Sequence, residues 1–177
     1  MGYVNLGNRA WENCPHDLLH YVCYNIIKLG GIAMKELTID AKVENIEQVI
    51  AFVDEQLEAF ECPIRAQTQI DIAIDELFGN IAHYAYNPKT GSATVRVEVQ
   101  KTPLSVVITF IDNGVPYDPL AKEDPDITLS AEERGIGGLG IYMVKKSMDD
   151  ISYEYKDGQN ILSIRKNMEC INAGKGK

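Results

Sequence analysis

At 177 residues with 45% hydrophobic content, the chain is sized for a single domain with one core. Its formal net charge of −9 excludes a sequence-independent grip on nucleic acid, which needs a basic footprint to release counterions. No run approaches the ~18 apolar residues of a membrane-spanning helix, and the N-terminus lacks a signal-peptide pattern, so a cytoplasmic protein engaging neither membrane nor nucleic acid is expected.

Residues 1–33 are of mixed composition and run through Lys28, Leu29, Gly30 and Gly31 towards Met34, after which the pattern becomes regular. They are read as an N-terminal extension, with Met34 an alternative natural start. Cys14, His16, His20 and Cys23 are zinc-ligand types, but their spacing matches no common zinc pattern and chance or packing accounts for them. With Cys62 and Cys170 they form no CxxC pair, which suits a reduced compartment.

From residue 35 the pattern predicts a strand over 35–41 and a helix over 44–60, ended by Cys62 and Pro63. Pro63 then opens a long helix that runs to about Tyr86 and stops at Asn87 and Pro88. Two Val-, Ile- and Thr-rich strands follow at 92–100 and 104–112. Residues 116–134 are acidic, proline-containing and aperiodic, hence a long loop of the kind that often serves as a lid. A glycine cluster leads into a helix at 139–149, and strands at 151–155 and 161–165 flank Asp157 and Gly158, a tight-turn pair. The domain is expected over 34–168, with 169–177 a tail. This order predicts an α/β two-layer sandwich, its mixed, mostly antiparallel sheet covered on one face by helices.

Three segments carry chemistry. On the long helix, Glu76, Asn80, His83 and Asn87 make a polar stripe opposite Ile74, Leu77, Phe78, Ile81 and Ala85, so a carboxylate and a neutral amide aim at one volume. The carboxylate can accept a proton from a hydroxyl, and the amide oxygen suits Mg²⁺ beside phosphates; an ordinary solvated helix face has the same pattern. Asp112, Asn113 and Gly114 end the second strand. They read as a turn, or as a carboxylate placed to accept from an exocyclic amine beside a glycine that admits a flat ring. Gly135, Gly137 and Gly140 satisfy GxGxxG, but an acidic loop precedes them instead of a buried strand, so a Rossmann site is rejected; no P-loop sequence exists either. What remains is a glycine hinge, or a loop at a helix N-terminus where free N–H groups favour phosphate.

In this order the three segments, with the closing hairpin at 153–166, resemble the Bergerat-type ATP-binding domain of the GHKL superfamily. They are most similar to its small standalone branch, the anti-sigma-factor serine kinases, over about residues 34–166. The resemblance implies ATP and Mg²⁺ as cofactors. Asn80 would hold the metal, Asp112 the adenine amine and Gly114 the ring. Gly137, Gly138, Leu139 and Gly140 would offer the phosphates backbone amides, and Arg134 would close over them. Glu76 would be the general base towards a serine hydroxyl. His83 and Tyr84 stand where the family often has a basic residue followed by His, so His83 would compensate phosphate charge less well. Tyr117 replaces a frequent Phe.

The helix at 44–60 has no phosphoacceptor His, which argues against a sensor histidine kinase, and the chain has no room for the transducer domains of the large ATPases. The resemblance implies an ATP-dependent serine kinase and anti-sigma factor acting as a homodimer. Its partners would be a sigma factor and a small STAS-type anti-anti-sigma protein. The alternative is a non-catalytic ATP/ADP-binding regulatory module.

Overall fold

The computed structural model describes residues 26–29, 32–121, 123–125 and 138–168. Six strands form one sheet: β1 (Ile26–Leu29), β2 (Ile32–Asp40), β3 (Ser92–Lys101), β4 (Leu104–Asp112), β5 (Asp150–Lys156) and β6 (Gln159–Asn167), in the order β1-β2-β3-β4-β6-β5. All five pairings are antiparallel. Connectivity explains this. Two helices, α1 (Ile46–Glu58) and α2 (Ile64–Asn80), return the chain from β2 to β3, so those neighbours oppose. One helix, α3 (Leu139–Ser147), links β4 to β5, which therefore run in the same direction, but β6 inserts between them. β1 and the first residues of β2 come from the segment set apart in the sequence, and Ile26 pairs with Lys35.

Alternation in β3 settles which side is covered. Ala93, Val95, Val97 and Val99 are buried, and the intervening residues stay partly exposed. Onto that inner face pack Val49, Phe52, Val53 and Leu57 of α1 and Ile70, Ala73, Ile74, Leu77 and Phe78 of α2. Each fully buried large side chain among them contributes about 1.5–3 kcal/mol of transfer free energy. The opposite face is a polar lattice: Thr38 meets Thr94 at 2.8 Å, Thr109 meets Ser163 at 2.9 Å, and Glu36 pairs with Arg96. The expected two-layer sandwich is the observed architecture, with helices on one side of the sheet.

The hairpin between β5 and β6 turns on Asp157 (φ 52°) and Gly158 (φ 82°), the positive angles expected there. The long helix departs from expectation. Regular α2 ends at Asn80, and residues Ile81–Ala85 form a turn of π-helix. Among the described residues no helix is long and apolar enough to cross a membrane, and no group of three His, Cys, Asp or Glu side chains is arranged to hold a metal.

Candidate functional site

The last turns of α2, the end of β4 and the start of α3 meet at two adjoining cavities. Strand register brings the deepest polar pair together: Asp112 on β4 lies directly opposite Asn160 on β6, both on the helix-covered face. Asn160 Nδ2 donates to Asp112 Oδ1 at 2.9 Å and to the Val115 carbonyl at 3.2 Å. Its own Oδ1 accepts from the Tyr153 hydroxyl at 2.7 Å and the Tyr117 N–H at 3.2 Å. Because Tyr117 N–H can only donate and Val115 O can only accept, the amide can face only one way. Gly114 N–H adds a second bond to Asp112 Oδ1 at 2.8 Å. Both bonds fall on Oδ1, so Oδ2 is the oxygen left for a ligand.

These groups floor a cavity of about 210 Å³ whose walls are largely apolar: Leu77, Ile81, Phe110, Ile141 and Leu162, with Tyr84 and Tyr117 at the rim. Burial pushes the Tyr153 phenol above its ordinary pKa, so it stays a donor at neutral pH.

A second, more polar cavity of about 450 Å³ shares Asn80, Tyr84, Tyr117, Pro119 and Ile141 with the first. Glu76 lies in it. Asn80 Nδ2 donates to Glu76 Oε1 at 2.8 Å, one helical turn away, which fixes the amide with its oxygen directed elsewhere. The opposite wall is the first turn of α3. Gly138 caps that helix at φ 92°, a left-handed angle that glycine adopts without strain, and among the described residues no side chain caps the N–H groups behind it. A Cβ on Gly140 would fall 2.0 Å from Glu76 Oε2, so any larger residue there would push that flexible carboxylate from its place beside the helix start.

The π turn decides what else reaches the cavities. Its last carbonyl, Ala85 O, accepts from Val115 N–H at 2.8 Å, which pins α2 to the segment after β4. A Cβ on Gly114 would lie 2.3 Å from that same oxygen. This glycine is required by the chain's own backbone, and it does not line the base of the cavity as a ring-facing residue would. Tyr86 ties the other side: its hydroxyl donates to Ser92 O at 2.6 Å and accepts from Asn113 N–H at 2.8 Å.

The widened turn also breaks the period that would have kept His83 above Glu76. His83 is exposed, lines neither cavity, and its Nδ1 lies 2.8 Å from Gly79 O; a carbonyl only accepts, so Nδ1 carries the proton. Tyr84 takes a place on both cavity walls instead. The structure thus gathers Glu76, Asn80, Asp112, Gly138, Leu139 and Gly140 around two adjoining cavities, sets Gly114 behind them, and leaves His83 outside. Arg134 and Gly137 lie outside the described residues, as do Cys14, His16, His20, Cys23 and Cys170. Sequence reasoning missed Asn160 and Lys145. A buried Asn on an inward-facing strand position was the available signal for the first.

Apolar walls, a buried acceptor at the floor, and a vestibule holding an amide and an uncapped helix start fit a purine nucleotide with its metal. The profile of the histidine kinase-like ATPase domain matches residues 39–166, and the chain belongs to that family. Among curated relatives it is 28% identical over 100 residues to the serine/threonine-protein kinase BtrW of Bordetella bronchiseptica, a stretch covering 56% of this chain and 70% of that one. It is 33% identical over 98 residues to the serine-protein kinase RsbW of Bacillus cereus, covering 53% of this chain and 60% of RsbW. The crystal structure of the RsbU and RsbW domains of Rv1364c from Mycobacterium tuberculosis superposes with a TM-score of 0.53 at 17% identity, over 75% of this chain and 32% of that one. That likeness establishes the shared fold.

Proposed function

We propose that the chain is an ATP-dependent protein serine kinase, and that it serves as an anti-sigma factor by phosphorylating a small STAS-type antagonist. The observation that carries the reading is the hydrogen-bonded Glu76–Asn80 pair facing the glycine start of α3 in a cavity that adjoins the one floored by Asp112. Asp112 Oδ2 accepts from the adenine amine; guanine, with a carbonyl there, would set acceptor against acceptor. The N–H groups of Leu139 and Gly140 receive phosphate oxygens, helped by the helix dipole. Asn80 Oδ1 holds Mg²⁺, which when bound offsets charge on the phosphates. Glu76 accepts the proton of the serine hydroxyl while Asn80 keeps its carboxylate oriented.

The kinase names of BtrW and RsbW support the reaction class. A sigma factor and a second copy of the chain are the further partners we propose, and cytoplasmic location fits such a role. The test incubates the full chain with γ-labelled ATP, Mg²⁺ and the STAS-type protein encoded nearest to it. Phosphoserine should appear, and Glu76→Gln should abolish it while nucleotide affinity stays within about threefold, since the base touches the hydroxyl and not the base or ribose. Tight ATP and ADP binding with no label on any candidate would instead identify a non-catalytic nucleotide-responsive module.

A further inference from the structure

The outer cavity is acidic. Glu76, Glu123 and Asp124 line it, and among its described lining residues the one Lys or Arg is Lys145. A polyphosphate entering such a space needs a cation in addition to backbone amides and a metal, because three carboxylates raise the local negative potential. The sequence put His83 and Arg134 near the phosphates; Arg134 lies outside the described residues, and His83 is turned back onto Gly79 O and lies outside the cavity.

Lys145 stands on α3 five residues beyond Gly140, with its side chain 22% exposed. Its Nζ donates to Asp124 Oδ1 at 3.0 Å and to Leu120 O at 3.4 Å, which ties the segment after β4 to the flank of α3. A purely structural account would make this lysine a helix C-terminal cation and a loop tie. That account is incomplete at the helix end, where Lys146 also sits in the last turn and Lys166 Nζ already donates to Ser147 O at 2.6 Å. Asp124, at 45% side-chain exposure, is a weak competitor for an ammonium: solvent screens it, and it carries one charge against the several of a nucleotide polyphosphate.

We propose that Lys145 is a phosphate-binding cation of this site, handed from Asp124 to the β- and γ-phosphates when nucleotide enters, so that occupancy releases Leu120 and Asp124 from α3. The inference rests on the nucleotide reading above. It makes Lys145 a residue whose partner changes with ligand and Asp124 the placeholder that holds the ammonium in the cavity beforehand.

The test is calorimetric titration of the full chain with adenosine, ADP and Mg²⁺-ATP, for the wild type, Lys145→Ala, Lys145→Arg and Asp124→Asn. Lys145→Ala is expected to weaken ADP and ATP by about tenfold or more and adenosine by less than about twofold, with Lys145→Arg restoring most of the loss. Asp124→Asn is expected to tighten ATP by about two- to fivefold, because it removes a competing carboxylate. If Lys145 were only a tie, both Lys145→Ala and Asp124→Asn would cut it and weaken all three ligands alike, and that result overturns the proposal. Unchanged ATP affinity in Lys145→Ala overturns it too while leaving the nucleotide reading intact. A wild type that binds none of the three ligands overturns that reading, and this inference with it.

Discussion

Asp112 is 5% exposed and takes hydrogen bonds on Oδ1 from Gly114 and Asn160, whereas Asp54 on α1 and Asp71 on α2 face each other and each keep a buried Oδ1 with no donor among the described residues. In one region the fold supplies donors to a carboxylate before any ligand arrives. In the other it sets two acids side by side. Burial first, and Asp54 second, push Asp71 up to about 6. The neighbouring Cys62 thiol is raised by burial and by the same two carboxylates. The contrast teaches that a withdrawn acid is not by itself a functional acid: what marks Asp112 is a set of partners that leaves one defined oxygen over a cavity.

The largest expected effect tests the equipped side. In Asp112→Asn the donors Gly114 N–H and Asn160 Nδ2 keep the amide oxygen, so the new NH₂ faces the cavity and opposes an exocyclic amine. Adenine nucleotide affinity should fall by about 100-fold, roughly 3 kcal/mol, in a calorimetric titration. A loss under about threefold would erase the distinction between the two regions.

Next comes Asn160→Leu, of similar volume, which strands the Tyr153 hydroxyl and the Tyr117 N–H and takes one donor from Asp112. Urea unfolding should register a loss of about 2 kcal/mol at pH 7. Unaltered stability would mean that water replaces the amide without cost.

The smallest effect belongs to the unequipped pair. The folded-state pKa of Asp71 is raised from 3.8 to about 6, so its stabilising contribution is fully present below about pH 4 and is lost as the pH climbs through 6. Asp71→Asn should remove that slope and stabilise the protein near pH 8 by about 1 kcal/mol, the full linkage value being reduced by solvent screening at a partly exposed group. Asp54→Asn should remove only the smaller part of that slope, because the burial of Asp71 remains. A wild-type unfolding free energy that is flat between pH 4 and pH 8 would contradict the pairing.

Local pattern carried much of this molecule. The 3.6-residue period of α1 and α2 is read correctly because each helix buries one face, and β3 and β4 are read from their Val, Ile and Thr content. Asp157 and Gly158 announce their hairpin because few other pairs accept two positive φ angles in succession. Glu76 and Asn80 were legible as a pair since four residues is one turn of an ordinary helix, and they are hydrogen-bonded as that spacing implies. The same rule misplaced His83, because it assumed a regular helix where the chain forms a π turn.

Sequence alone therefore determined the elements, their apolar faces and the class of the sandwich, all of which depend on residues within a turn or two of one another. Tertiary structure alone decided which polar atoms share a space. Asn160 meets Asp112 across 48 positions through the register of β4 and β6, and Ala85 O meets Val115 N–H where α2 widens. Gly140 admits Glu76, and Lys145 reaches Asp124, only once α3 is laid beside α2. Those meetings follow from how helices and strands are stacked, and no periodicity within a single segment encodes the distance between two of them.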